Sequence, residues 1–344
     1  MSSMIRKQLR ESFFLGVFAL VTVCLLSPSA SAIKISDNFS VDGFLDMSAG
    51  VTIGEDEDGD SELDAFAGYD QLELALKFSF DKLSGRADID GNDSIGLEQA
   101  YITYAFSDMV SINAGRFLSS IGFEAAEPTD MFQYSYSTGI PYPGYQNGVS
   151  LSISPSDMIG LYASVVTGVW DGGGDTDLNH PGFEAQIALM PIEGLTAKIG
   201  FAGDIMEEVH AEEEGDHDHD HHDEEEETYL KSEINAWVMY SMDNITVAAE
   251  FDLLPNYYAH DTTGIHFLAM ANIGVTDEIG VTVRFSGAQD NLDDEDEELR
   301  TSFTISPSYA FNDNLGSLIE LKQILGNDNE PGETQIAFET IMTF

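Results

Sequence analysis

The chain has 344 residues, of which 13 are basic and 62 acidic, for a formal net charge of −49, and it carries one cysteine. So acidic a polypeptide repels nucleic acid and draws in cations, and one cysteine builds no disulfide framework. The hydrophobic share of 43% argues against disorder, and after the N-terminus no segment approaches the eighteen apolar residues of a spanning helix.

Residues 1–32 read as a secretory signal peptide. Arg6, Lys7 and Arg10 form a basic start, residues 13–26 an uncharged apolar run, and Pro28-Ser29-Ala30-Ser31-Ala32 a small-residue cleavage site. The mature chain is expected to begin at Ile33. Cys24 leaves with the signal, and Val23 before it argues against lipidation.

From Phe39 the apolar residues alternate. Phe39, Val41, Leu45, Met47, Ala49, Val51 and Ile53 interleave with Ser40, Asp42, Asp46, Ser48 and Thr52. This period of two predicts a strand with two unlike faces. The pattern recurs over 71–80, 245–253 and 279–286. Short turns at 81–83, 107–109, 154–157, 191–194, 241–244, 276–278 and 311–314 alternate with connections at 54–69, 91–95, 116–146, 170–182, 204–228, 254–263, 287–298 and 325–334. Short periplasmic turns and long outer loops mark an outer-membrane barrel. Residues 33–344 are therefore expected to form an all-β, closed antiparallel transmembrane β-barrel of about sixteen strands, with both termini periplasmic. A soluble β-sandwich would share the alternation but not the regular change of connection length. Pro307 falls inside a predicted strand, so a bulge or a strand starting nearer Tyr309 is expected.

If the apolar phase meets lipid, the other phase lines a lumen. It carries Asp46, Glu73, Lys77, Arg86, Lys231, Glu250, Arg284, Arg300, Glu320 and Lys322. Both charge signs on one face imply water, since a dry core cannot hold so many ions. About sixteen strands leave room for an aqueous channel. A lumen filled by paired side chains is the alternative.

The connection 116–146 is aromatic and weakly charged. It is expected to fold into the barrel and narrow it, with Arg116, Glu124, Glu127 and Asp130 as constriction charges; packing on the outer rim is the other reading. Gln99-Ala100-Tyr101, Ala114-Gly115-Arg116-Phe117, Ile121-Gly122-Phe123-Glu124, Tyr134-Ser135 and Gly148-Val149 resemble the OmpL-like β-barrel porins of Gram-negative bacteria. That resemblance spans about fifty residues; it implies an outer-membrane porin fold and names no solute.

Residues 205–228 form an acidic, histidine-rich outer loop. His210, His217, His219, His221 and His222, with Asp216, Asp218 and Asp220 among them, are candidate ligands for Zn²⁺, or for Cu²⁺ or Ni²⁺. A solvated charge run is the alternative. Asp56–Ser61 and Asp88–Asp93 begin like Ca²⁺ loops but lack the glycine and the terminal glutamate, so only diffuse Ca²⁺ or Mg²⁺ binding is expected at the acidic loops. No cofactor is required.

No nucleophile and base share a motif spacing, so no enzyme is expected. The chain ends in an alternating strand with terminal Phe344, read as the segment presented to the barrel assembly machinery. Expected partners are outer-membrane lipid and lipopolysaccharide, and either a monomer or a homotrimer fits. Two functions follow: a passive, cation-preferring channel for small hydrophilic solutes, or a closed barrel serving as a surface metal-binding or adhesion platform.

Overall fold

The structure, a computed structural model, describes residues 32–55, 61–91, 95–124, 127–170, 181–208, 227–294, 298–326 and 331–344. The predicted signal segment through Ser31 and every candidate metal ligand from His210 to His222 lie outside the described residues. Among those described, no helix is long and apolar enough to cross a membrane.

The alternating segments become a short β1 (Ile33–Ser36) and then β2 (Phe39–Glu55), β3 (Ser61–Phe80), β4 (Leu83–Gly91), β5 (Ile95–Ser107), β6 (Val110–Leu118), β7 (Tyr145–Ser156), β8 (Ile159–Val166) and β9 (Gly182–Leu189). The second half is β10 (Leu195–Glu208), β11 (Glu227–Met242), β12 (Ile245–Pro255), β13 (Thr263–Gly274), β14 (Ile279–Gln289), β15 (Arg300–Asn312), β16 (Leu315–Leu325) and β17 (Glu333–Thr343). From β2 onward each strand pairs antiparallel with the next, and β17 pairs with β2 from Thr334↔Ile53 to Thr343↔Phe44. The result is a closed barrel of sixteen strands, β2 to β17, so no edge is left bare to hydrocarbon. At the seam Phe344 exchanges backbone hydrogen bonds with Gly43 at 3.0 and 2.9 Å. Beyond it β1, which the alternation did not predict, continues along the same edge of β2 with Ile33 opposite Val41.

The burial pattern inverts that of a soluble domain. Along β12, Ile245, Val247 and Phe251 are 42, 42 and 49% exposed, while Thr246, Glu250 and Asp252 are 0, 5 and 1% exposed. Apolar side chains face outward and ionisable ones inward, as a lipid-embedded barrel with a polar interior requires.

Several predicted boundaries need correction. Residues 61–69 of the expected loop 54–69 belong to β3 and pair with β2 out to Ser61↔Glu55. The histidine-rich connection is shorter than 205–228, because Glu208 pairs with Glu227 and strand reaches both. The long connection 116–146 is reduced to 119–144. Pro307 causes neither a bulge nor a late start: β15 begins at Arg300 and keeps Pro307 opposite Val281. The missing N–H is felt only on the β16 side, where pairing skips from Ile305↔Leu321 to Ser308↔Leu318 in unchanged register.

Two bulges do occur where polar residues stand side by side. Between Asp46↔Gln71 and Met47↔Tyr69, Asp70 has no partner on β2. Between Asp88↔Gln99 and Ile89↔Leu97, Glu98 has none on β4. A bulge re-aims the side chains around it, and both of these enrich the β2–β5 wall in carboxylates.

Candidate constriction site in the lumen

The described residues of the long connection, 119–124 and 127–144, fold inward and touch the wall at widely separated strands. Ser119 donates to Glu184 on β9 at 2.5 Å, and the Phe123 N–H donates to Glu250 on β12 at 2.7 Å. The Phe123 ring meets Trp237 on β11 edge-on at 5.6 Å. Thr282 on β14 donates to the Phe132 carbonyl at 2.9 Å, and Tyr134 stacks on Phe66 of β3 at 6.1 Å. The aromatic content that marked this segment is thus spent on the inner wall rather than the outer rim. Gly139 has φ +70° and lies so close to buried Ala288 that a side chain there would collide with it; only glycine adopts that conformation without cost.

The four predicted constriction residues separate into different roles. Glu124 is 8% exposed, forms an ion pair with Arg284 of β14, and accepts the Ser137 N–H at 2.7 Å. Arg284, 1% exposed, also donates to the Ser135 hydroxyl at 3.2 Å and the Tyr136 carbonyl at 2.7 Å. This pair anchors the loop to the wall, and Glu124 also lines the cavity beside it. Arg116 likewise braces structure: its Nε donates to the Glu98 carbonyl at 2.7 Å and its guanidinium lies 5.7 Å from the Tyr145 ring centre. Asp130, in a single 3₁₀ turn (Pro128–Asp130), is exposed. Glu127 is buried and accepts from the Tyr145 hydroxyl at 2.6 Å.

Glu127 belongs to a group the alternation did not collect. One carboxylate oxygen each from Glu73, Glu98 and Glu127 lie within 4.8 Å of one another. Burial, and then the charge of Glu73, push the Glu127 carboxyl up to about 8. Arg86 stands beside the group, 3.3 Å from Glu73 and 2.7 Å from Asp88, and Gln99 donates to Asp88 at 2.7 Å. Glu98 escaped the sequence reading because it is the bulged residue; the adjacent polar pair Glu98-Gln99 was the mark in the sequence.

A second network sits on β11 to β13. Asp252 is 2.6 Å from His266 Nδ1, and His266 Nε2 is 2.9 Å from the Ser137 hydroxyl. Asn235 donates to Glu250 and Asp252 at 2.8 and 2.6 Å. Serine, histidine and aspartate thus meet although no sequence spacing foretold it. The arrangement lacks what acyl transfer needs: the Ser137 N–H that could face an oxyanion is bound to Glu124, and all three side chains are at most 4% exposed. It acts as a brace between loop and wall.

The other predicted lumen residues all lie on the inward phase. Lys77 pairs with Asp42 at 2.7 Å, and Arg300 with Asp290 at 2.5 Å. Lys231 stacks over Trp170 and Tyr257 at 4.8 and 4.3 Å, and Lys322 donates to the Tyr136 carbonyl at 3.1 Å. Asp46 and Glu320 are 2 and 0% exposed, and Glu320 accepts from the Ser135 N–H at 3.2 Å. Beside the loop, a cavity of about 750 Å³ runs to the turns at Asp108 and Asp157, lined in part by Tyr101, Tyr162, Lys198 and Trp237.

The family model described as beta-barrel porin-2, OmpL-like, matches residues 62–344. Among solved structures, the outer membrane channel DcaP of Acinetobacter baumannii is similar over 92% of this chain and 100% of that chain, with TM-score 0.67 and 13% identity. OmpF of Salmonella typhi, in complex with daunomycin, is similar over 91% and 100%, with TM-score 0.66 and 11% identity. The anion-selective porin from Comamonas acidovorans is similar over 89% and 99%, with TM-score 0.58 and 10% identity. No curated protein matches the chain in sequence. Identities this low speak for the shared fold alone.

Proposed function

The chain belongs to the OmpL-like beta-barrel porin-2 family, and on that premise we propose that it is a passive diffusion channel of the outer membrane for small hydrophilic solutes, with preference for cations. The observation that carries this reading is the inverted barrel: apolar residues outside, and an interior lined by Asp46, Glu73, Lys77, Arg86 and Glu250. The lumen-lining charges predict a wet interior, and the inward loop sets its width. The fold does not choose the ion, since one similar barrel is an anion-selective porin. The acidic excess chooses it here: the net charge of −49 enriches cations at the mouths within a Debye length of about 8 Å.

A planar bilayer under a salt gradient tests the reading. A reversal potential of the sign set by cations supports it; chloride preference at low salt refutes the selectivity, and absence of conductance refutes the channel in favour of a closed platform.

Four further parts of the reading rest on sequence. Cleavage after Ala32 releases the signal segment. The β17 strand ending at Phe344 presents the chain to the assembly machinery, and lipopolysaccharide borders the outer loops. His210, His217, His219, His221 and His222 capture Zn²⁺, or Cu²⁺ or Ni²⁺, near the outer mouth. Titrating Zn²⁺ into the whole barrel and a 209–226 deletion checks the last point, and equal uptake by both would refute it.

A further inference from the structure

Glu73 on β3, Glu98 on β5 and Glu127 on the inward loop are separated in the chain, yet their carboxylate oxygens converge within 4.8 Å of one another. A single ion about 2.4 Å from each oxygen bridges a span of that size.

Proximity of acidic groups is not by itself a site; the second observation is what they lack. Glu73 Oε2 and Glu127 Oε2 are buried with no hydrogen-bond partner, on side chains 2 and 8% exposed. Buried charged oxygens are costly unless something positive meets them. The nearby cation is already shared, since Arg86 reaches Glu73 at 3.3 Å but holds Asp88 at 2.7 Å. From the rest of the protein Glu98 receives the neutral Gln71 amide, at 3.2 and 3.3 Å, and Glu127 the Tyr145 hydroxyl; the remaining contacts are between the carboxyl groups themselves, Glu73 meeting both Glu98 and Glu127, so a shared proton or a cation must lie between them. Three carboxylates therefore face one another with a guanidinium at the edge and none in the middle.

We propose that Glu73, Glu98 and Glu127 form a binding site for a hard divalent cation, Ca²⁺ foremost, held between the wall and the constriction loop. The donor set is all oxygen, with no histidine or cysteine, which disfavours the softer transition metals. Ca²⁺ accepts irregular carboxylate geometry and completes its shell with water, whereas Mg²⁺ demands near-ideal octahedral placement. A bound ion would cross-link β3, β5 and the loop, and would cancel most of the negative charge that the three carboxylates carry beside the lumen. The effect on permeation rests on the channel reading; the binding does not.

Tb³⁺, a luminescent Ca²⁺ probe, tests the binding directly, because Tyr145 touches Glu127 and can sensitise it. The purified full barrel is compared with Glu127→Gln and Glu98→Gln, all carrying the 209–226 deletion so that the outer acidic loop does not contribute. Asp313→Asn on an exposed turn serves as control. The expected result is saturable Tb³⁺ emission, displaced by Ca²⁺, with affinity at least about tenfold weaker in both glutamine variants and unchanged in the control. Equal affinity in the parent and both variants, each showing a folded barrel by circular dichroism, overturns the proposal, as does absence of a saturable site in the parent. Conductance recorded on the same samples separates the two readings: a conducting barrel without the Tb³⁺ site leaves the channel standing and removes the cation, and a silent barrel with the site does the reverse.

Discussion

Glu124 and Arg284 stand 160 residues apart in the chain and form a buried ion pair that ties the inward loop to β14. Breaking a buried pair by removing one partner strands the other charge and costs about 3–5 kcal/mol. Glu124→Gln is therefore expected to lower the thermal unfolding midpoint and to loosen the loop. Single-channel recording should show larger or noisier openings. If Arg284→Met is combined with it, the stability loss should be smaller than the sum of the two single losses.

Gly139 is expected to be the least replaceable residue of the loop. Its φ of +70° and its approach to Ala288 leave no place for a branched side chain. Gly139→Val should cost about 1–3 kcal/mol of local strain and shift the loop, read as altered conductance in a barrel of unchanged strand content. Normal conductance would remove the loop from the permeation path.

The carboxyl of Glu127 supplies a pH dependence. Burial and the neighbouring Glu73 raise it to about 8 in the cation-free barrel, so without a bound cation it is largely neutral at neutral pH. Folding raises this group, so its contribution to stability is complete in acid and is lost as pH climbs through about 8. The same titration adds negative charge to the constriction. With divalent cations chelated, the cation-to-anion permeability ratio should rise between about pH 6 and about pH 9, and Glu127→Gln should flatten that rise. A profile identical in wild type and variant would contradict it.

The lipid face is tested by charge. Phe251 is 49% exposed on the outward phase of β12. Phe251→Arg should cost about 2–4 kcal/mol if the position lies near the bilayer midplane, measured by chemical unfolding from vesicles. Asp252→Asn, one residue along but facing the lumen network, should leave the barrel inserted and instead disturb His266.

The alternation of residues such as Ile245, Thr246, Val247 and Ala248 already contained the barrel, because a strand has only two faces and lipid accepts only one kind of side chain. The change between short and long connections carried the strand count for the same reason, since each hairpin returns the chain to one side of the membrane. What the sequence could not determine alone was who meets whom inside. Glu124 read as a pore charge, and its second role as an anchor was hidden because its partner Arg284 lies on a distant strand. Glu98 and Asp70 went unseen because a bulge breaks the period on which the reading depended. Ser137, His266 and Asp252 met only once the loop folded back on the wall. Periodicity is a local property, fixed by backbone geometry every two residues; the pairing of charges across a lumen depends on register, bulges and loop path, and these are settled only when the ring closes.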